Sequence, residues 1–99
     1  MKILGLLAVF SLAAFAGEWT GHISETKCGV RHTAASAEDV ACVKTCIKAG
    51  AKPVLVVDGK IISIANTDKV PESLYGLKVK VSGDLKDDAL TIASIEAAK

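Results

Sequence analysis

The chain is short of the residues on which most binding and catalytic chemistries depend. Among 99 residues it has three cysteines, two histidines, two prolines and four aromatic side chains. Phe10 and Phe15 sit in an apolar N-terminal run, so only Trp19 and Tyr75 serve the remainder. Two aromatics make no platform for stacking bases. The formal charge of +1 gives no positive field to hold a phosphate backbone. No nucleic-acid partner is expected. Ser/His/Asp arrangements, glycine-rich phosphate loops and His-Glu-x-x-His helices are all missing. So are the C-x2-C-H haem-attachment motif and the thioredoxin-type C-x2-C. Glu38, Asp39, Asp68, Asp87 and Asp88 find no partner at catalytic spacing and read as cap and turn residues. Enzymatic chemistry is not expected.

The N-terminus carries one clear signal. Lys2 precedes an almost wholly apolar stretch from Ile3 to Ala13, and Ala14-Phe15-Ala16 is a small-x-small cleavage pattern. The stretch is too short to cross about 30 Å of hydrocarbon with ease. It is expected to be a signal peptide, residues 1–16, removed to leave residues 17–99 as one exported domain, periplasmic or extracellular, without a stable membrane anchor. Loss of Lys2 balances the charge at 11 basic and 11 acidic residues. A domain of this size buries little apolar surface and commonly needs a covalent or metal staple. Export would place its cysteines where disulfides persist.

Periodicity gives the fold class. Glu18–Ser24 alternates, with Trp19, Gly21 and Ile23 on one face and His22 on the other, toward solvent. Ser36-x-x-Asp39 is a capping box that opens a helix from about Ala37 to Ala49, closed by Gly50. Val40, Val43 and Ile47 form its apolar stripe. Pro53 stops the helix, and the run PVLVV is a strand followed by Asp58-Gly59, a hairpin turn, and the strand KIISIA. Residues 66–76 connect, with a helical turn near Glu72–Tyr75. LKVKVSGDL alternates cleanly, Lys86-Asp87-Asp88 turns, and ALTIASIE slips phase at Ala93-Ser94, which marks a bulge or a strand end. Short strands separated by turn signals favour closure into a barrel. The expected fold is mainly β with one helix, a small five-stranded OB-like barrel whose cysteine-containing helix is inserted between strands one and two. A plain α+β sheet covered by the helix is the alternative.

The chemistry that remains lies in one window. Cys28 and His32 stand four apart in the turn after the first strand, and Cys42 and Cys46 stand four apart on the helix. Helical i,i+4 positions hold Cβ atoms about 5–6 Å apart, whereas a disulfide needs about 3.5–4.5 Å. A bridge from Cys28 to one helix cysteine is therefore the better disulfide. It would close a loop of about 15 to 19 residues, for which chain entropy gives about 3 kcal/mol. The metal reading uses all four side chains. Three sulfurs and an imidazole suit tetrahedral zinc, or Cu(I), which prefers soft ligands. His22 is a further imidazole but lies on the strand face away from the core.

WTGHISETKCGVRH, then CVKTCIKAGAKPVLVVDGKI, then YGLKVKVSGDLKDDALTIASIE together resemble a group of small exported bacterial proteins of uncharacterised function. In these a W-x-G-x-I-S-[DE] strand leads to a C-G-x2-H loop, a C-x3-C helix, a G-A-K-x-V-L-V strand and an OB-like final hairpin. The resemblance covers nearly the whole of residues 17–99. It implies that Cys28, His32, Cys42 and Cys46 belong to one pattern, which favours a shared site, since a disulfide has no use for His32. The C-x3-C pair is also similar to that of exported copper-delivery proteins, whose thioredoxin-like βαβ pattern this chain lacks. Three functions follow as expectations. The first is a Cys/His cluster that binds zinc or copper or is disulfide-stapled. The second is a thiol–disulfide redox protein, with Cys42 or Cys46 exchanging and Cys28 resolving. The third is an envelope binding module that uses the barrel face.

Overall fold

The computed structural model describes residues 14–31 and 33–98. Strands β1 (Ala14–Glu25), β2 (Pro53–Val57), β3 (Lys60–Ile64), β4 (Lys78–Lys86) and β5 (Ala89–Ala97) close into a barrel in the order β1-β2-β3-β5-β4. Helix α1 (Ala37–Lys48) lies between β1 and β2. Short 3-10 turns occupy Gly29–Arg31, Thr67–Lys69 and Glu72–Leu74. This is the expected OB-like order with its inserted cysteine-bearing helix, and the flat α+β sheet is excluded. Among the described residues no helix is long and apolar enough to cross a membrane.

β1 runs longer than its alternation indicates. Ala14, Phe15 and Ala16, the residues of the expected cleavage pattern, pair with Lys86, Leu85 and Asp84 of β4. Gly17–Glu25 remains paired without them. β1 meets β4 through His22 and β2 from His22 onward, so one strand serves two partners. Gly21 stands just before the exchange. A Cβ there would lie 2.2 Å from the carbonyl oxygen of Val56, so the approach admits only glycine.

The core follows the period-two pattern. Ile23, Leu55, Val79, Val81, Leu90 and Ile92 are buried inside the barrel, with Trp19, Leu85 and Ile95 packed against them in part. Lys78 and Lys80 alternate outward, as the sequence indicates. PVLVV is an unbroken apolar run because β2 is covered on both sides. Leu55 faces the core, while Val54 and Val56 are buried beside it, on a strand that the Gly29–Arg31 turn contacts. Asp58 and Gly59 both take positive φ, 50° and 78°, which makes the β2–β3 link a type I′ turn. The phase slip in β5 is a bulge: Ser82 pairs with Ser94 and Gly83 with Ile92, passing over Ala93.

Closure rests on a short parallel seam. β3 and β5 pair only at Ser63↔Ala89 and Ile64↔Leu90. Asn66 extends it with its side chain. Its amide donates to the Ile92 carbonyl at 2.9 Å, and its Oδ1 accepts from the Ile92 N–H at 2.8 Å. One side chain thus replaces the next rung of the ladder. Removing it leaves two backbone groups unpaired, at about 1–3 kcal/mol each before water repairs part of the loss. Asn66→Ala is expected to lower the urea midpoint of unfolding by the equivalent of about 2 kcal/mol with an unchanged slope. A change below a few tenths would show that the seam closes without it.

Candidate metal centre

The site is built on the neck where β1 and β2 part. Glu25, the last residue of β1, pairs with Pro53, the first of β2. Just beyond, the Thr26 N–H donates to the Lys52 carbonyl at 3.0 Å, and the Lys52 N–H donates to Thr26 Oγ1 at 3.2 Å. Residues 27–51 leave and return through this neck. The turn that carries Cys28 is fixed from within. Glu25 Oε1 accepts from the N–H groups of Lys27 at 2.6 Å and Cys28 at 3.1 Å. The Ser24 hydroxyl donates to the Gly29 carbonyl. Ser24 and Glu25 are fully buried. Gly29 packs so close to Ile61 that a Cβ there would lie 2.8 Å from Ile61 Cδ1.

The helix is anchored separately. Ser36 Oγ accepts from the Asp39 N–H at 3.1 Å, the N-cap bond that the sequence predicts. Asp39 reaches past the cap and accepts from the Ala34 N–H at 3.0 Å. Val43 is fully buried, while Val40 and Ile47 are half-covered, so the stripe is narrower than its spacing implies. At the N-terminal end of α1 the chain passes Gly76, where a Cβ would fall 2.6 Å from Val40 Cα. That contact holds the helix against the barrel.

These two anchors bring Cys28, Cys42 and Cys46 together. Their Sγ atoms all lie within 4.8 Å of one another, each side chain half-buried. All three are free thiols. A tetrahedral zinc–thiolate site, with Zn–S near 2.3 Å, separates its sulfurs by about 3.8 Å. Small side-chain rotations bring the three sulfurs to that spacing, so the donor set fits a soft or borderline cation. His32, the expected fourth ligand, lies outside the described residues. His22 is not in the group. It is also half-buried rather than solvent-facing, because α1 packs on β1. Burial and the nearby Lys78 ammonium lower its pKa, against the opposing pull of Asp39.

The residue that spacing did not reveal is Glu25. An acidic side chain at a strand end reads as a solvated loop residue, and only the fold shows it enclosed. Its effect reaches two of the sulfurs. Burial pushes the Cys28 thiol above its ordinary pKa, and a hydrogen bond to Glu25 and the carboxylate's charge add to this, against Arg31. Burial likewise raises Cys46, helped by a hydrogen bond with Cys42 and the charge of Glu25, against Lys27. Reactive thiols are made by the opposite shift.

The sign of the linkage is definite. The folded state keeps protons on Cys28 and Cys46 at pH values where the unfolded chain has released them. The stabilisation is complete below the unfolded thiol pKa and is lost as pH rises through the higher folded values. Urea midpoints of the reduced, metal-free protein are expected to fall above about pH 8.5, where free thiols ionise. A Cys28→Ser/Cys46→Ser variant, whose hydroxyls do not titrate there, is expected to fall less; equal slopes would refute the shift. No known family model matches the chain, and neither a curated protein nor a solved structure matches it.

Proposed function

We propose that this is an exported, non-enzymatic domain that binds one zinc or copper ion through Cys28, Cys42 and Cys46, with His32 as the fourth donor where the metal asks for four. The observation that carries the reading is the triangle of three sulfurs, all within 4.8 Å, formed by side chains from two separately anchored segments. Either segment alone offers too few ligands. Thiolate donors favour zinc and Cu(I) over calcium or magnesium, which take oxygen ligands. Lys27 and Arg31 supply positive charge near the sulfurs, which moderates the negative charge of a three-thiolate complex.

The redox alternative finds one point of support, since sulfurs this close can bridge with modest movement. Against it, burial and Glu25 hold Cys28 and Cys46 protonated, which slows attack on a disulfide. The envelope-module alternative has the exposed Ile61 on β3 as its one apolar feature among the described residues of the barrel, and no charge pattern beside it indicates a partner.

Titration of the reduced protein with Zn(II) and with Cu(I) is expected to show one equivalent bound. Serine at any one of the three cysteines should weaken it by about tenfold or more, the loss of a direct ligand exceeding that of a supporting group. His32→Ala separates the two metals: zinc, which wants four ligands, should lose much more affinity than Cu(I), which accepts three. Absence of stoichiometric binding by either metal refutes the reading. So does a native protein, purified without reductant, whose mass is lower by two hydrogens and which regains them only on reduction. That result assigns the cluster to a disulfide instead.

A further inference from the structure

We propose that Glu25 is the positioning residue of this site: by capping the turn it fixes Cys28 within reach of the helix sulfurs. The proposal deepens the metal reading and rests on it for its purpose, although the positioning itself is a property of the metal-free fold. Three observations carry it. First, Glu25 is fully buried, although a glutamate is almost never placed so without a role for its carboxylate. Second, one of its oxygens accepts from two amides, Lys27 and Cys28, and the second of these belongs to a sulfur donor. Third, Cys28 is the only one of the three cysteines outside α1, so the triangle exists only if this turn is held at a set distance from the helix.

The geometry also says which property of Glu25 matters. An acceptor oxygen at that place is enough to hold both N–H groups, and the amide oxygen of glutamine supplies one. Alanine supplies none, and it leaves two turn amides without their buried partner. The turn then keeps the Ser24–Gly29 bond, the Thr26–Lys52 neck and the bond from the Arg31 N–H to the Cys28 carbonyl, none of which holds the Cys28 N–H. Supporting groups of this kind commonly change metal affinity by about 10–100-fold.

Glu25→Ala and Glu25→Gln are compared with the unaltered chain in two measurements. The first needs no metal: the rate at which dibromobimane bridges Cys28 to a helix thiol in the reduced protein, with the bridged pair identified by peptide mapping. Glu25→Ala should slow bridging about tenfold, in line with the supporting-group effect, and Glu25→Gln should stay within about threefold of the unaltered chain. The second is Co(II) binding, read by the intensity of the thiolate-to-metal absorption. Glu25→Ala should show the weaker two-thiolate band, matching Cys28→Ser, and Glu25→Gln the full three-thiolate band. Far-UV circular dichroism and the urea midpoint confirm that each variant is folded. Should Glu25→Ala fail to fold, Glu25→Gln decides. In Glu25→Gln, bridging slowed by about tenfold, the effect expected of Glu25→Ala, would overturn the capping role. Unchanged bridging and an unchanged cobalt band in Glu25→Ala would overturn it equally. If cobalt fails to bind the unaltered chain but bridging still depends on Glu25, the positioning stands and the metal reading falls.

Discussion

One strand has to serve two partners, and the rest of the molecule depends on how it does so. β1 gives most of its length to β4 and its last residues to β2, and it changes hands at His22. The exchange is possible because Gly21 lets the backbone of β1 approach the carbonyl of Val56. Any side chain at that point would hold β2 away and leave the barrel open. The exchange also determines where β1 ends. Its β2-paired tip delivers Ser24, Glu25 and Thr26 to the barrel's edge, and each fixes a different part of the turn that follows.

The sulfur triangle is thus a product of barrel closure as much as of the cysteines themselves. α1 contributes two thiols on one face, as helical spacing alone requires. The third arrives from a turn more than ten residues earlier in the chain, and nothing local commits it to the same point. Its position comes from hydrogen bonds to a buried carboxylate, and that carboxylate is buried because the strand bearing it is paired on the β2 side. Burial, joined by the charge of that carboxylate, holds Cys28 and Cys46 above their ordinary thiol range. A cation bound there has to displace those protons, whereas a thiol exchanger needs a thiolate already formed, which these shifts oppose.

Much of the fold is legible in the sequence where the controlling contacts are local. The alternation of Val79 and Val81 with Lys78 and Lys80, the Asp58-Gly59 turn, the Ser36 cap and the slipped phase at Ala93 are each written in a pattern a few residues long, and each appears in the structure. Grouping of Cys28 with Cys42 and Cys46 is legible from spacing and ligand chemistry. Asn66 is not, because the group it pairs with, Ile92, lies 26 positions away, and an asparagine in a connector looks like any other turn residue. Glu25 is hidden for the same reason. Hydropathy assigns it to solvent, and only the paired strands beside it reverse that. His22 is misjudged because strand alternation cannot foresee a helix laid over the outer face.

The neck between Thr26 and Lys52 has a consequence for how such a molecule can change. The segment that carries all three cysteines leaves the barrel and returns to it through two hydrogen-bonded residues at adjacent strand ends. The strands that close the barrel neither pass through this excursion nor pair with it. A tight turn joining β1 to β2 would leave the remaining ladder with its partners intact. The barrel's backbone ladder and the site's ligands are therefore separable in this chain, while the cover that the excursion lays over Val54 and Val56 is not.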